Sequence, residues 1–275
     1  MTLQAQLPSH PDIWPEGVRS AVALTFDLDI ETPFVGEDPA VVARPGFLSQ
    51  ARYAPRVAVP LILSLLEQLE VDATFFIPGK SAEDFPDTVG LIVAAGHEIA
   101  AHGYTHEAPS GLNRDQEDQQ LKRTIEILRG FGADVVGYRA PFFEASVHTV
   151  DLLHQHGLRY ASGMMDDIRP YRYLGTDVIE LPSQWLLDDW SQFGHGSDDA
   201  LARNATCAHV RQLWIEEFRA VHRLGGLFVL TMHPQVIGRP ARIEMLADLV
   251  SEMKDHDGVW IANCRSIVGE VARVL

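Results

Sequence analysis

Two short stretches of the chain place acids and imidazoles at spacings that chemistry can use. Thr25-Phe26-Asp27-Leu28-Asp29 closes an apolar run with two carboxylates on alternate residues. Alternate residues of a strand share a face, so Asp27 and Asp29 point the same way if the extended backbone continues. Like charges that close repel, and they are tolerated when a cation sits between them or beside one of them. A pair of turn or capping aspartates is the competing explanation.

The second stretch, His102-Gly103-Tyr104-Thr105-His106, follows another short apolar run. Residues four apart on a helical turn have Cβ atoms about 5–6 Å apart, near enough for two imidazoles to share one metal. An isolated HxxxH says little, but placement at a strand end says more. With a carboxylate from the first stretch the set becomes two His and one Asp with open positions, the ligand count of catalytic zinc. His233, at the end of Leu227-Phe228-Val229-Leu230-Thr231-Met232, has the ordinary pKa of about 6.5 that suits a general acid. Arg139, in Gly137-Tyr138-Arg139-Ala140-Pro141, can orient a first-strand carboxylate. His154-Gln155-His156 mimics an HxH metal motif. It lies at a helix end, where residues two apart diverge, and is expected to be structural.

These groups need a scaffold that gathers strand ends. Short β-rich runs occur at residues 21–26, 73–78, 98–103, 135–140, 159–162, 178–182, 227–233 and 259–262. Several are nearly continuously apolar, as strands covered on both faces should be. Amphipathic segments at 56–70, 114–129, 209–224 and 241–255 alternate with them, and Gly96, Gly130, Gly157, Gly225 and Gly258 follow helices where left-handed C-caps are expected. Repeated β-then-α units imply a parallel sheet, and about seven of them in one α/β domain spanning 1–275 imply a distorted (β/α) barrel. Such barrels carry their catalytic groups at the C-terminal ends of strands. Asp27, Asp29, His102, His106, Arg139 and His233 all fall there. Residues 32–55 and 185–208 interrupt the alternation and are expected to be irregular loops near the substrate.

The 275 residues suit one barrel, which needs roughly 250, and 46% apolar against 22% charged residues allows a sizeable core. Twenty-two Lys and Arg against 38 Asp and Glu give a net charge of −16. That field repels phosphate backbones and anionic lipid, so nucleic acid and membrane surfaces are poor partners. Cys207 and Cys264 are isolated, which excludes a disulfide framework or zinc ribbon. Neither an export signal nor a membrane-spanning run is visible, so a cytoplasmic protein is expected. Self-association into a homo-oligomer is left open.

The landmarks TFDLD, HGYTH, GYRAP, the stretch from Trp185 to Trp190, and LTMHP occur in the order found in the polysaccharide deacetylases of carbohydrate esterase family 4. The chain resembles that NodB-homology superfamily from about residue 20 to 274. It is most similar to the branch holding peptidoglycan-deacetylase-like proteins, cyclic imide hydrolases and cofactor-independent allantoinases, through Phe76-Ile77-Pro78-Gly79, Ala95-Gly96-His97-Glu98 and Trp185-Leu186-Leu187-Asp188-Asp189. The resemblance implies that Asp27 is the catalytic base and that Asp29, His102 and His106 are ligands to one divalent ion per chain. Zn²⁺ comes first, with Co²⁺, Ni²⁺ and Mn²⁺ as alternatives. It implies His233 as general acid, Arg139 as partner of Asp27, and Phe142, Trp185, Asp188, Asp189 and Trp190 around the substrate, with Asp188 or Asp189 tuning His233. Two departures bear on this. Leu28 splits the usual adjacent Asp pair, which loosens the assignment of roles to Asp27 and Asp29, and Phe142 stands where polysaccharide-active members usually have Tyr.

The expected activity is metal-dependent hydrolysis of a non-peptide carbon–nitrogen bond in a small amide such as a cyclic imide. N-deacetylation of peptidoglycan or chitin-type sugars is the alternative. A non-catalytic binding protein on the same barrel is a third.

Overall fold

A computed structural model of the chain describes residues 13–194 and 205–275. The strands are β1 (Ser20–Asp27), β2 (Thr74–Ile77), β3 (Glu98–Ala101), β4 (Gly137–Tyr138), β5 (Tyr160–Ala161), β6 (Tyr171–Arg172), β7 (Ile179–Glu180), β8 (Leu227–Met232) and β9 (Val259–Ile261). They form one sheet in the order β6-β7-β5-β4-β3-β2-β1-β8, with β9 pairing the start of β1. Every described pairing is parallel except β6 with β7.

The curled sheet is the expected distorted barrel, with β1, β2, β3, β4, β5, β7 and β8 as its seven parallel staves. Among the described residues β7 and β8 share no ladder. Their seam is bridged by one residue pair, Asp188 with Thr231. β1 is buried at every residue and β8 likewise, which explains their unbroken apolar sequences. Helices Val59–Leu69, Arg114–Gly130, Cys207–Leu224 and Pro240–Lys254 pack outside and match the amphipathic segments within a few residues.

Three local expectations are corrected. The helix Arg114–Gly130 ends on Gly130 itself, and the left-handed glycine is Gly132, with φ 83°. Residues 32–55 are not irregular. Pro33, Pro39 and Pro45 each open a short helix at Thr32–Glu37, Pro39–Ala43 and Pro45–Leu48, because a missing N–H costs nothing at a helix start. Phe34, Val41, Leu48 and Ala51 give this segment a small core of its own, against which Trp190 packs. Of residues 185–208, the turn Trp185–Leu187 and the helix Asp189–Phe193 are regular, and 195–204 lie outside the described residues. Among the described residues no helix is long and apolar enough to cross a membrane.

Candidate active site

β1 ends at Asp27, yet the chain stays extended enough for both carboxylates to reach His102. Asp27 Oδ2 lies 3.7 Å and Asp29 Oδ1 3.5 Å from His102 Nε2. Immediately after Asp29 the backbone reverses through Ile30 at φ 56°, a strained left-handed conformation for a β-branched residue. Three donors fix this corner by converging on the Asp29 carbonyl: Thr32 N at 3.2 Å, Thr32 Oγ1 at 2.8 Å and Ser81 Oγ at 2.6 Å.

The two imidazoles meet, but not on a helical turn. Gly103 at φ 67° and His106 at φ 64° lie in a loop that folds His106 back until the two ring centroids are 5.1 Å apart. Spacing alone cannot reveal a left-handed residue, and a four-residue interval by itself is equally compatible with a helical turn. His102 Nδ1–H donates to the Arg139 carbonyl at 2.8 Å, so Nε2 carries the lone pair that faces Asp29. Burial holds the His102 pKa below its ordinary value, favouring that neutral form. Asp29 Oδ2 lies 3.4 Å from His106 Nε2 and 3.5 Å from His233 Nε2. Burial acts to raise the Asp29 pKa, but His106, His102 and His233 outweigh it and hold the carboxyl ionised well below the usual range.

Asp29, His102 and His106 are all buried and present ligand atoms within 4.8 Å of one another. Asp29 Oδ1 and His106 Nδ1 are buried without a hydrogen-bond partner. Tetrahedral ligands at zinc distances of about 2.0–2.1 Å lie roughly 3.3–3.4 Å apart, close to the separations here. A lone-pair nitrogen aimed at a carboxylate oxygen is otherwise unfavourable, so the donor set fits a divalent ion.

Arg139 is fully buried inside the barrel. Its guanidinium donates to Asp27 Oδ1 at 2.7 Å, Thr25 Oγ1 at 2.9 Å and Ser162 Oγ at 3.0 Å, and lies 4.1 Å over the Phe76 ring. Asp27 Oδ2 is left on the cavity side.

The choice between Asp188 and Asp189 is resolved by their directions. Asp189, fully buried, accepts His233 Nδ1–H at 2.8 Å and the His233 backbone N–H at 3.0 Å. Asp188 instead caps the helix Asp189–Phe193 by accepting Trp190 N at 2.7 Å and Ser191 N at 3.2 Å. Burial acts to lower the His233 pKa, but the hydrogen bond and charge of Asp189, with Asp188 and Asp29, raise it to about 10. Burial pushes the Asp189 carboxyl up while His233 pulls it back, so the pair shares one proton, which sits on the imidazole.

Above these groups lies a cavity of about 240 Å³. Phe142, Trp185, Asp188 and Trp190 line it as expected, and Trp190 packs edge-on against His233 at 5.3 Å; Asp189 does not line it, because its carboxylate is fully buried behind the His233 ring. Pro33, Ala140 and Phe143 also line it without any local sequence signal, and Thr25 and Ser162 hold Arg139, and Ser81 the Asp29 carbonyl, from outside the lining. Ser162 closes an expected strand and Phe143 adjoins Phe142, but nothing in their types sets them apart. His156 pairs with Asp118 at 2.6 Å on the barrel's outside, the structural role expected of it.

A β/α barrel with a carboxylate–imidazole cluster and a His–Asp pair at its strand ends defines a hydrolase-type centre. The chain belongs to the polysaccharide deacetylase family, whose model matches residues 16–161. It is 31% identical over 271 residues to a peptidoglycan deacetylase of Helicobacter pylori, covering 87% of this chain and 92% of that one. A crystal structure from Mycobacterium smegmatis, assigned to the polysaccharide deacetylases, superimposes with a TM-score of 0.93 at 40% identity, covering 97% of this chain and 95% of that one. An allantoinase structure shares the fold with a TM-score of 0.83 at 22% identity, covering 98% and 95%.

Proposed function

We propose that the chain is a metal-dependent hydrolase of non-peptide carbon–nitrogen bonds acting on a small enclosed amide, such as a cyclic imide. The observation that supports this most is the convergence of His102, His106 and His233 on the ionised Asp29 at 3.4–3.5 Å. Asp29, His102 and His106 would hold a divalent ion, which when bound would supply Lewis acidity and lower the pKa of a bound water.

Asp27 Oδ2 takes the proton of the attacking water, while Arg139 holds Asp27 in place through Oδ1. The backbone N–H near Phe142 donates to the tetrahedral oxyanion, a contribution of roughly 3 kcal/mol. His233 gives its proton to the nitrogen as the C–N bond breaks, since an amide nitrogen leaves poorly as an anion. One water is consumed and a carboxylic acid forms with an N–H. In a cyclic imide this opens the ring.

The aromatic walls, with Pro33 from the helix Thr32–Glu37, favour a small substrate over a polymer, because excluding water strengthens oxyanion stabilisation. N-deacetylation of peptidoglycan is the second reading, favoured by the Helicobacter pylori relative. The presence of Asp27, Asp29, His102, His106, Arg139 and His233 together speaks against a non-catalytic barrel. An activity screen of metal-loaded protein against cyclic imides, allantoin and N-acetylglucosamine oligomers decides between them. We expect the imides to be turned over fastest; deacetylation that improves with oligomer length establishes an extended groove instead.

A further inference from the structure

The wall of the cavity differs in kind from its floor. Pro33, Ala140, Phe142, Phe143, Trp185 and Trp190 form it. Trp185 and Phe142 stay 49% and 40% exposed at the mouth, although both are large and apolar. Phe143 meets Trp185 edge-on at 4.9 Å, and Phe142 meets His106 at 4.6 Å. Phe142 and Phe143 both adopt left-handed backbone, with φ 58° and 57°. Strain of this kind survives only where the surroundings impose it, and it gathers at ligand clamps. The sequence thus keeps two adjacent aromatics in a costly conformation that presents them to the cavity.

The polar side chains facing the cavity are Asp27, Asp29, His102, His106 and His233, all assigned to the reaction above, together with Asp188. Among the described residues no Lys, Arg, Asn, Gln, Ser or Thr lines it. A sugar ring brings hydroxyls that lose their water on entry and find few partners here. A carboxylate at the outer end of a substrate meets aromatic faces and the acid Asp188, and no Lys or Arg is among the described residues of the lining.

We infer that the substrate is an uncharged amide or imide whose flat, apolar ring packs against the aromatic wall formed by Phe142, Phe143 and Trp185. This rests on the amide-hydrolase reading and narrows it to a substrate class. Ring-on-aromatic contact supplies affinity without hydrogen bonds, and the planar ring lies where it directs its carbonyl to the floor.

The test compares kcat/KM of the metal-loaded enzyme for phthalimide, succinimide, 4-carboxyphthalimide and N-acetylglucosamine. Phthalimide should exceed succinimide and 4-carboxyphthalimide each by about tenfold or more, and N-acetylglucosamine by a larger factor. Trp185→Ala, at a half-exposed position, should bring phthalimide to within about threefold of succinimide. Calorimetric titration of His233→Ala with phthalimide reads binding without turnover. Equal or faster hydrolysis of 4-carboxyphthalimide or N-acetylglucosamine overturns the inference while leaving the amide-hydrolase reading standing. Phthalimide binding that Trp185→Ala weakens, with no amide turned over by the native enzyme, upholds the ring site and removes the hydrolase reading. Absence of both phthalimide binding and turnover overturns the inference.

Discussion

The Asp189 carboxylate receives both the side-chain and backbone N–H of His233, at 2.8 Å and 3.0 Å, and so fixes the ring's orientation and keeps a proton on Nδ1. The pair joins the helix Asp189–Phe193 to the end of β8, across the seam that Asp188 and Thr231 bridge. The proposed proton donor thus stands at the seam where β7 and β8 share no ladder among the described residues.

Asp189→Asn should move the alkaline limb of the kcat/KM profile to lower pH. His233 is raised to about 10 chiefly against the opposing effect of burial, by Asp189, Asp188 and Asp29. Activity needs the protonated imidazole, so it is lost as pH rises through that pKa, and removing the carboxylate lowers the pKa. The same raised pKa contributes stability that is complete below about 6.5 and vanishes above the folded value. The variant should therefore lose more stability at pH 6 than at pH 10.5 in denaturant titrations. An unmoved limb counts against Asp189 as the tuning residue.

One divalent ion per chain is expected, since Asp29, His102 and His106 form one open set. His106→Ala should lose metal and activity together, measured by elemental analysis and turnover. His154→Ala should change neither. Activity indifferent to chelators, in protein that contains no metal, contradicts the assignment.

Asp27→Asn should keep the ion and lose about a hundredfold or more in kcat, since general-base catalysis contributes 10²–10⁴. Asp29→Asn should weaken metal binding itself. The amide is nearly isosteric with the carboxylate, so folding is little disturbed and the effects separate. Opposite behaviour of the two variants means that the residue inserted between them, Leu28, has exchanged their roles.

Glu98→Gln should be tolerated and become relatively more stable as pH rises. Glu98 is buried at the start of β3, where it accepts from Thr74 Oγ1 at 2.7 Å, Tyr160 Oη at 2.9 Å and the Arg265 backbone N–H at 2.9 Å. Burial raises its pKa despite those donors. The neutral form is thus favoured in the fold, giving stability that is full below the ordinary value of 4.5 and lost as pH climbs through the raised value. A glutamine never ionises, so the difference between variant and native stability should grow in the variant's favour from pH 4 to pH 8. Urea titrations showing no such trend count against it.

Local residue pattern leads to the barrel and to the strand ends where the candidate site gathers. Apolar strands such as Leu227–Met232, separated by amphipathic helices, leave few ways to bury both faces of a parallel sheet. A polar residue that ends such a strand must then lie at the catalytic rim, which is why Asp27, His102, Arg139 and His233 were legible from local pattern. Which of Asp188 and Asp189 serves His233 depends on long-range packing, because neighbouring residues leave the backbone in different directions and the contact with β8 fixes which one faces the imidazole. The tertiary structure also placed Ser81 and Ser162, whose hydroxyls act on Asp29 and Arg139 from 52 and 23 residues away. The left-handed turns at Ile30, His106, Phe142 and Phe143 belong with these. Each is locally disfavoured, so the short-range preferences that make a sequence readable point away from it, and it exists because long-range contacts outweigh them.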